Sequence, residues 1–152
     1  MQNPVVRNNY IHEEKPDHIG IAVSRSDNNQ VYNNVIYNTN TGIGVGGGSS
    51  NNYIGNNILL GIDSLALAKS PDTVNNTFEN NLVFPSDHTD HVVGHLYKNK
   101  DSIFRNNKIA LGADISISGI IKVTTKNSTK THNTDISPFS VEISSRESPL
   151  HH

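Results

Sequence analysis

One hexapeptide pattern recurs five times along the chain: an apolar residue, any residue, Asn, Asn, any residue, an apolar residue. It reads Val6-Arg7-Asn8-Asn9-Tyr10-Ile11, Val31-Tyr32-Asn33-Asn34-Val35-Ile36 and Ile54-Gly55-Asn56-Asn57-Ile58-Leu59, then Phe78-Glu79-Asn80-Asn81-Leu82-Val83 and Phe104-Arg105-Asn106-Asn107-Lys108-Ile109. The first asparagine of each pair falls at 8, 33, 56, 80 and 106, in steps of 25, 23, 24 and 26 residues. A fixed period of this size is the mark of a solenoid, in which each repeat buries its apolar face only against its neighbours. Another asparagine stands two residues before the leading apolar position in three copies, at Asn29, Asn52 and Asn76; Pro4 and Ser102 take that place in the end copies.

Between these motifs lie shorter segments of strict alternation: Gly20-Ile21-Ala22-Val23, Gly42-Ile43-Gly44-Val45 and Ser64-Leu65-Ala66-Leu67. Alternation at two residues means strand, with Ile21, Val23, Ile43, Val45, Leu65 and Leu67 inward and Gly20, Ala22, Gly44, Ser64 and Ala66 outward. Each period thus holds three short strands separated by turns, and no helix-length pattern. The fold expected is all-β: a single-stranded right-handed parallel β-helix of five to six coils spanning 1–118. Ile115-Ser116-Ile117-Ser118, Ile120 to Thr124 and Phe139 to Ile143 read as further strands, with a polar loop from Lys126 to Thr134. Residues 119–150 are therefore read as a last irregular coil and C-terminal cap, and His151-His152 as a tag remnant.

Asparagine is the commonest polar residue of the chain, 22 in all, against 14 acids and 12 Lys plus Arg. The repeat explains the excess. Equivalent residues in stacked coils sit about 4.8 Å apart, so an amide column can hydrogen-bond along itself. Asn also tolerates the left-handed backbone of a two-residue corner. Fourteen of the 22 fall in such corner or column positions: the ten of the five pairs, with Asn28, Asn29, Asn52 and Asn76. These are read as scaffold rather than as catalytic groups.

The remaining bounds are mostly exclusions. A net charge of -2 leaves no basic footprint for nucleic acid. The absence of Cys rules out disulfides and thiolate chemistry. No apolar run is long enough to span a membrane. Met1-Gln2-Asn3-Pro4 enters a coil almost at once, which is read as a processed start or a piece of a longer chain. A coil end without a cap invites cover by a second copy or by more of a parent chain. Gly46-Gly47-Gly48-Ser49-Ser50 lacks the lysine and helix of a phosphate loop and reads as a turn. Asn75-Asn76-Thr77 and Asn127-Ser128-Thr129 fit the glycosylation sequon; the first belongs to the asparagine column and is expected to be poorly accessible.

The tandem apolar-x-Asn-Asn-x-Ile followed by Gly-Ile-x-Val resembles the parallel β-helix repeat family. That family includes mannuronan C5-epimerases, polysaccharide lyases and copper-associated periplasmic β-helix proteins. The resemblance covers roughly residues 5–118 and implies a fold more than an activity. It implies a uronate polysaccharide lying along a groove above one strand column, outside the cell or at its surface. A base there removes the C5 proton while a cation or metal neutralises the carboxylate. Where epimerases of this kind carry Asp-Pro-His, this chain has Lys15-Pro16-Asp17-His18.

Insertions point to the same edge. Two copies of the repeat are lengthened after the Asn-Asn corner, by His12 to His18 and by Pro85-Ser86-Asp87-His88-Thr89-Asp90-His91. Both occupy one loop position three coils apart, about 14 Å along the axis. Insertions on one edge of a solenoid commonly build its binding face. The candidate catalytic set is Lys15, Asp17, His18, His88, His91 and His95, since imidazole serves as a base near neutral pH and Lys15 can neutralise a carboxylate. Glu13, Glu14, Tyr97 and Lys98 are candidate substrate contacts. Alternatively Asp87, His88, Asp90 and His91 hold a divalent ion such as calcium, or the two loops are simply polar. No cofactor is required by this chemistry. A rival reading is a non-catalytic structural protein that assembles through its ends or its smooth Gly/Ala face. A metal-delivery role rests on the histidines alone.

Overall fold

A computed structural model describes residues 3–12, 18–86 and 102–109, together with the backbone of strands at 114–118, 120–126, 132–136 and 139–146. The period of about 24 residues becomes the turn of a parallel β-solenoid. The first coil holds β1 (Val5–Arg7), β2 (Tyr10–His12) and β3 (Ile19–Ser24). The second holds β4 (Gln30–Tyr32), β5 (Val35–Tyr37) and β6 (Thr41–Gly46), the third β7 (Tyr53–Gly55), β8 (Ile58–Ile62) and β9 (Leu67–Lys69). Then come β10 (Thr77–Glu79) and β11 (Leu82–Pro85), and finally β12 (Ile103–Arg105) and β13 (Lys108–Ile109). Stacking puts them in three parallel sheets. The first runs β1-β4-β7-β10-β12, the second β2-β5-β8-β11-β13 and the third β3-β6-β9. Val6, Val31, Ile54, Phe78 and Phe104 fall in one register column, with Phe78 and Phe104 stacked at 4.5 Å.

Each Asn-Asn pair divides its work. The leading residue takes the left-handed conformation that turns the chain, with φ between 54° and 58° at Asn8, Asn33, Asn56, Asn80 and Asn106. The second points inward and joins a ladder. Its backbone N–H and its Nδ2 both donate to Oδ1 of the next coil's asparagine, at 2.9–3.1 Å from Asn9 through Asn34, Asn57 and Asn81 to Asn107. The remaining Nδ2 proton goes back to a backbone carbonyl, that of Val31 for Asn57 and Ile54 for Asn81. A second ladder runs through Asn29, Asn52 and Asn76, again behind left-handed asparagines, Asn28, Asn51 and Asn75. Ser102 ends it by accepting from the Asn76 N–H at 3.4 Å. Buried amides with every donor and acceptor used cost little; with one partner removed they cost about 1–3 kcal/mol for each stranded group.

The interior is filled by one residue in two from each strand: Val31 and Ile54 from the first sheet, Ile36, Leu59 and Val83 from the second, Ile21, Val23, Ile43, Val45 and Leu67 from the third. The second sheet is apolar on its other side as well, where Val35, Ile58, Leu60 and Phe84 are 0–3 % exposed. A parallel sheet covered on both faces reads as unbroken apolar runs, such as Ile58-Leu59-Leu60.

The third coil departs from expectation. Leu67 pairs with Ile43 and Lys69 with Val45, so the register lies two residues later than Ser64-Leu65-Ala66-Leu67 implies. A period-two pattern is unchanged by a slip of two, and β8 absorbs the extra length around Gly61 at φ 62°. Ser64 therefore lies before the strand, and Ala66 is fully buried rather than outward. Gly20 is also misplaced: a Cβ there would come within 2.6 Å of Ile36 Cγ2. Gly20, Gly42 and Ala66 form the column where the third sheet presses on the second, and Gly42 would collide with the Ala66 carbonyl if it bore a Cβ.

Beyond the solenoid, β14 (Asp114–Ser118), β15 (Ile120–Lys126), β16 (His132–Ile136) and β17 (Phe139–Arg146) form a mixed four-stranded sheet in the order β14-β15-β17-β16. The β15–β17 pair is parallel and the other two are antiparallel. The polar stretch from Lys126 to Thr134 is thus not loop throughout: Lys126 ends β15, and His132 to Thr134 open β16.

The two asparagines of a corner should respond oppositely to glycine. Asn56→Gly keeps a left-handed corner and should shift stability by less than about 0.5 kcal/mol. Asn57→Gly strands the Asn34 donors and should cost about 3 kcal/mol in urea unfolding. Equal losses at both positions would contradict this division of labour. Gly42→Ala should likewise cost about 2 kcal/mol, whereas Gly44→Ala, whose Cβ would meet only Thr41 Cγ2 at 3.9 Å, should be neutral or stabilising.

Candidate functional site

The two lengthened segments leave the solenoid at one edge. The first follows β2 and the second follows β11, strands of the second sheet separated by β5 and β8. Of the residues singled out in the sequence, His18 is described. It is exposed and sits just before β3, its carbonyl accepting from the N–H groups of Asn40 and Thr41 at 3.0 and 3.3 Å. Glu13, Glu14, Lys15, Asp17, Asp87, His88, Asp90, His91, His95, Tyr97 and Lys98 lie outside the described residues. Among the described residues no group of three or more His, Cys, Asp or Glu is placed to hold a metal ion. No helix among them is long and apolar enough to cross a membrane.

The third sheet presents Ala22, Gly44 and Ala68 in one outward row and Ser24, Gly46 and Ser70 in the next. Among the described residues these rows carry no acid, base or cation. They carry nothing larger than Ser, and none of these groups can itself move a proton. Two acids in the turns that follow these strands are held by their own hydrogen bonds. Asp27 Oδ1 accepts from the Ser50 N–H at 2.7 Å and from its hydroxyl at 3.1 Å, and Asp72 accepts from Ser70 Oγ. Gly47 and Gly48, at φ 62° and 74°, make the tight turn expected of the glycine run.

Lys69 is the residue the sequence pattern did not reveal. It occupies the inward position held by Val23 and Val45 in the preceding coils and is 6 % exposed, with Nζ 3.4 Å from the Ser70 carbonyl. A buried ammonium is tolerated only with polar partners. A strand ending at Leu67, as Ser64-Leu65-Ala66-Leu67 implies, leaves it outside.

The first sheet carries the other concentration of chemistry. Its outward residues next to the corners are the variable residues of apolar-x-Asn-Asn: Arg7, Tyr32, Gly55, Glu79 and Arg105. Tyr53, two residues ahead of Gly55, lays its ring across the bare glycine, where a Cβ would collide with Oη and Cζ. Its hydroxyl donates to Glu79 Oε1 at 3.3 Å, and Arg105 Nε donates to Glu79 Oε2. Arg7 Nη1 reaches the Tyr32 hydroxyl at 3.5 Å. The Tyr53 phenol is pushed above its usual value, chiefly by burial and then by the charge and hydrogen bond of Glu79, against an opposing pull from Arg105. Tyr10 is raised by burial and by Tyr37. Tyr10 and Tyr37 flank His12 at 6.3 and 5.2 Å on the second sheet.

Asn76 is the buried ladder member, but the acceptor of Asn75-Asn76-Thr77 is Asn75, which is exposed at its corner.

Compared with protein-family models, with curated proteins and with solved structures, the chain finds no match.

A raised phenol pKa means that the fold holds the proton more tightly than the unfolded chain does. The stability it contributes is fully present below the ordinary tyrosine value of 10.0 and is lost as pH rises through the folded value. Tyrosinate absorbance should therefore show Tyr53 ionising later than free tyrosine. The urea midpoint should fall above about pH 10, and fall less steeply in Tyr53→Phe; identical alkaline profiles for the two proteins would contradict the Glu79 contact.

Proposed function

We propose that this chain is an extracellular β-solenoid that binds, and in its two lengthened segments modifies, uronate-containing polysaccharide, in the manner of mannuronan C5-epimerases or lyases. The observation that carries this reading is the common origin of the two His- and Asp-rich segments. They leave the second sheet at equivalent positions three strands apart, beside a third sheet whose outward rows are Ala, Gly and Ser.

In that arrangement the flat sheet supports the polymer and the segments supply the chemistry. His18, His88, His91 or His95 takes the C5 proton, and Lys15, or a divalent cation on Asp87, His88, Asp90 and His91, neutralises the carboxylate. Return of a proton to the opposite face gives the epimer. Loss of the oxygen substituent at C4 gives the unsaturated lyase product instead. Glu13, Glu14, Tyr97 and Lys98 line the path of the chain in this scheme.

A second reading, assembly without catalysis, has its own observation. The first coil exposes Val5, Tyr10 and Ile19 at 48, 40 and 53 %, on or beside β1, β2 and β3, the end strands of the described sheets. At that edge Asn9 Oδ1 accepts no bond among the described residues, and a second copy stacked in register would supply the donor. This reading expects concentration-dependent association by sedimentation; a monomer at every concentration removes it.

Proton NMR at C5 of polymannuronate and polygalacturonate, with and without calcium, tests the first reading. Turnover should appear with the unmutated protein and disappear in His18→Ala, His88→Ala and His91→Ala, with unfolding midpoints unchanged. No conversion of any uronate polymer, with or without calcium, would remove catalysis from the proposal.

A further inference from the structure

We propose that the outer face of the first sheet is a separate binding platform for an extended acidic polysaccharide, with Tyr32 and Tyr53 as the stacking surface and Arg7 and Arg105 as carboxylate contacts at its two ends. The three sheets leave this face as the chemically equipped one. Among the described residues the outward rows of the third sheet are Ala, Gly and Ser, while the second sheet is buried at Val35, Ile58, Leu60 and Phe84 and shows its Tyr10–His12–Tyr37 stack only in the first two coils.

The platform is a continuous row. Along the solenoid axis one meets Arg7, Tyr32, the Tyr53 ring lying over Gly55, Glu79 and Arg105, one per coil. Five strands at the sheet spacing extend about 19 Å, the scale of a short oligosaccharide. Gly55 is the gap in the column of long side chains, and the Tyr53 ring fills it from the neighbouring column. The Glu79 carboxylate tethers its hydroxyl and is itself held by Arg105, so the ring is fixed against the sheet before any ligand arrives. A preorganised ring loses little entropy on binding and stacks on the C–H face of a sugar. Arg7 is exposed and the Arg105 side chain is 57 % exposed, so both guanidinium groups reach a ligand outside the sheet. Guanidinium forks match carboxylates in geometry and charge, which favours a uronate over a neutral polymer. Glu79 engages Arg105 through Nε, which leaves the Nη donors of that guanidinium for a ligand, and together with Arg7 the row keeps a net positive charge.

The platform shares its ligand class with the function proposed above but uses none of its residues. The experiment keeps the two apart. With no Trp and five Tyr in the chain, tyrosine emission reports on ligand stacking, and the titrations are run in a Tyr97→Phe background so that the tyrosine assigned to the other site gives no signal. Oligomers of mannuronate and of galacturonate are titrated against a neutral gluco-oligosaccharide of equal length. The acidic oligomers should bind more tightly than the neutral one. Tyr53→Ala and Tyr32→Ala should each weaken them about tenfold. Gly55→Val should do the same while keeping both tyrosines, because its side chain lifts the ring, and Tyr53→Phe should retain most of the affinity. Arg7→Gln with Arg105→Gln should erase the preference for acid. His18→Ala should leave binding untouched even where it abolishes turnover. Should Gly55→Val fail to fold, the exterior change Tyr32→Ala carries the test. The platform is overturned if the unmutated protein binds none of the oligomers, if affinity survives in both tyrosine-to-alanine variants, or if neutral and acidic oligomers bind alike.

Discussion

Every other feature of this solenoid depends on the amide that one coil offers to the next. A parallel coil whose strands are mostly three residues long has little interior, and its corners would leave backbone N–H groups buried without partners. The inward asparagine meets both demands. Its Oδ1 accepts the preceding coil's backbone N–H and Nδ2 together, and its own Nδ2 returns a proton to a carbonyl. The ladder therefore does inside the coil what a helix cap does at a helix end, but at every turn. The cost of interrupting it is local, since each coil touches only its neighbours.

The repeat made most of the fold legible. Columns at 8, 33, 56, 80 and 106 state the stacking register outright, and the structure pairs Val6, Val31, Ile54, Phe78 and Phe104 accordingly. Legibility stopped where local pattern carried no unique solution. The third-sheet strand at Leu67–Lys69 could not be framed from Ser64-Leu65-Ala66-Leu67, because alternation is indifferent to a two-residue slip and a lysine in an inward slot argues against the true frame. Asn51 and Asn75 escaped notice as corner residues because only their ladder neighbours fell in a visible column.

The candidate sites divide in the same way. Length variation points to the segments around Lys15-Pro16-Asp17-His18 and Asp87-His88-Thr89-Asp90-His91 without any structure. The Tyr53 platform needs three facts that the sequence keeps apart: that position 55 faces outward, that it is a glycine, and that position 53 of the same strand is long enough to cover it. The variable residue of apolar-x-Asn-Asn held the signal throughout. In a solenoid the residue that varies between invariant neighbours marks the outer surface, and reading down that one column recovers Arg7, Tyr32, Glu79 and Arg105.

The ladder also has a direction. The strands' own hydrogen bonds run both ways along the axis, as when Gln30 donates to Pro4 and Asn33 donates to Asn56, so their dipoles largely cancel. The asparagine side chains do not alternate. From Asn9 to Asn107 every Oδ1 faces the first coil and every ladder N–H faces the last. A row of aligned amides thereby gives the molecule an electrical polarity, negative at the first coil and positive at the last. This is opposite in sense to an α-helix read from its own N-terminus, and it comes from side chains alone.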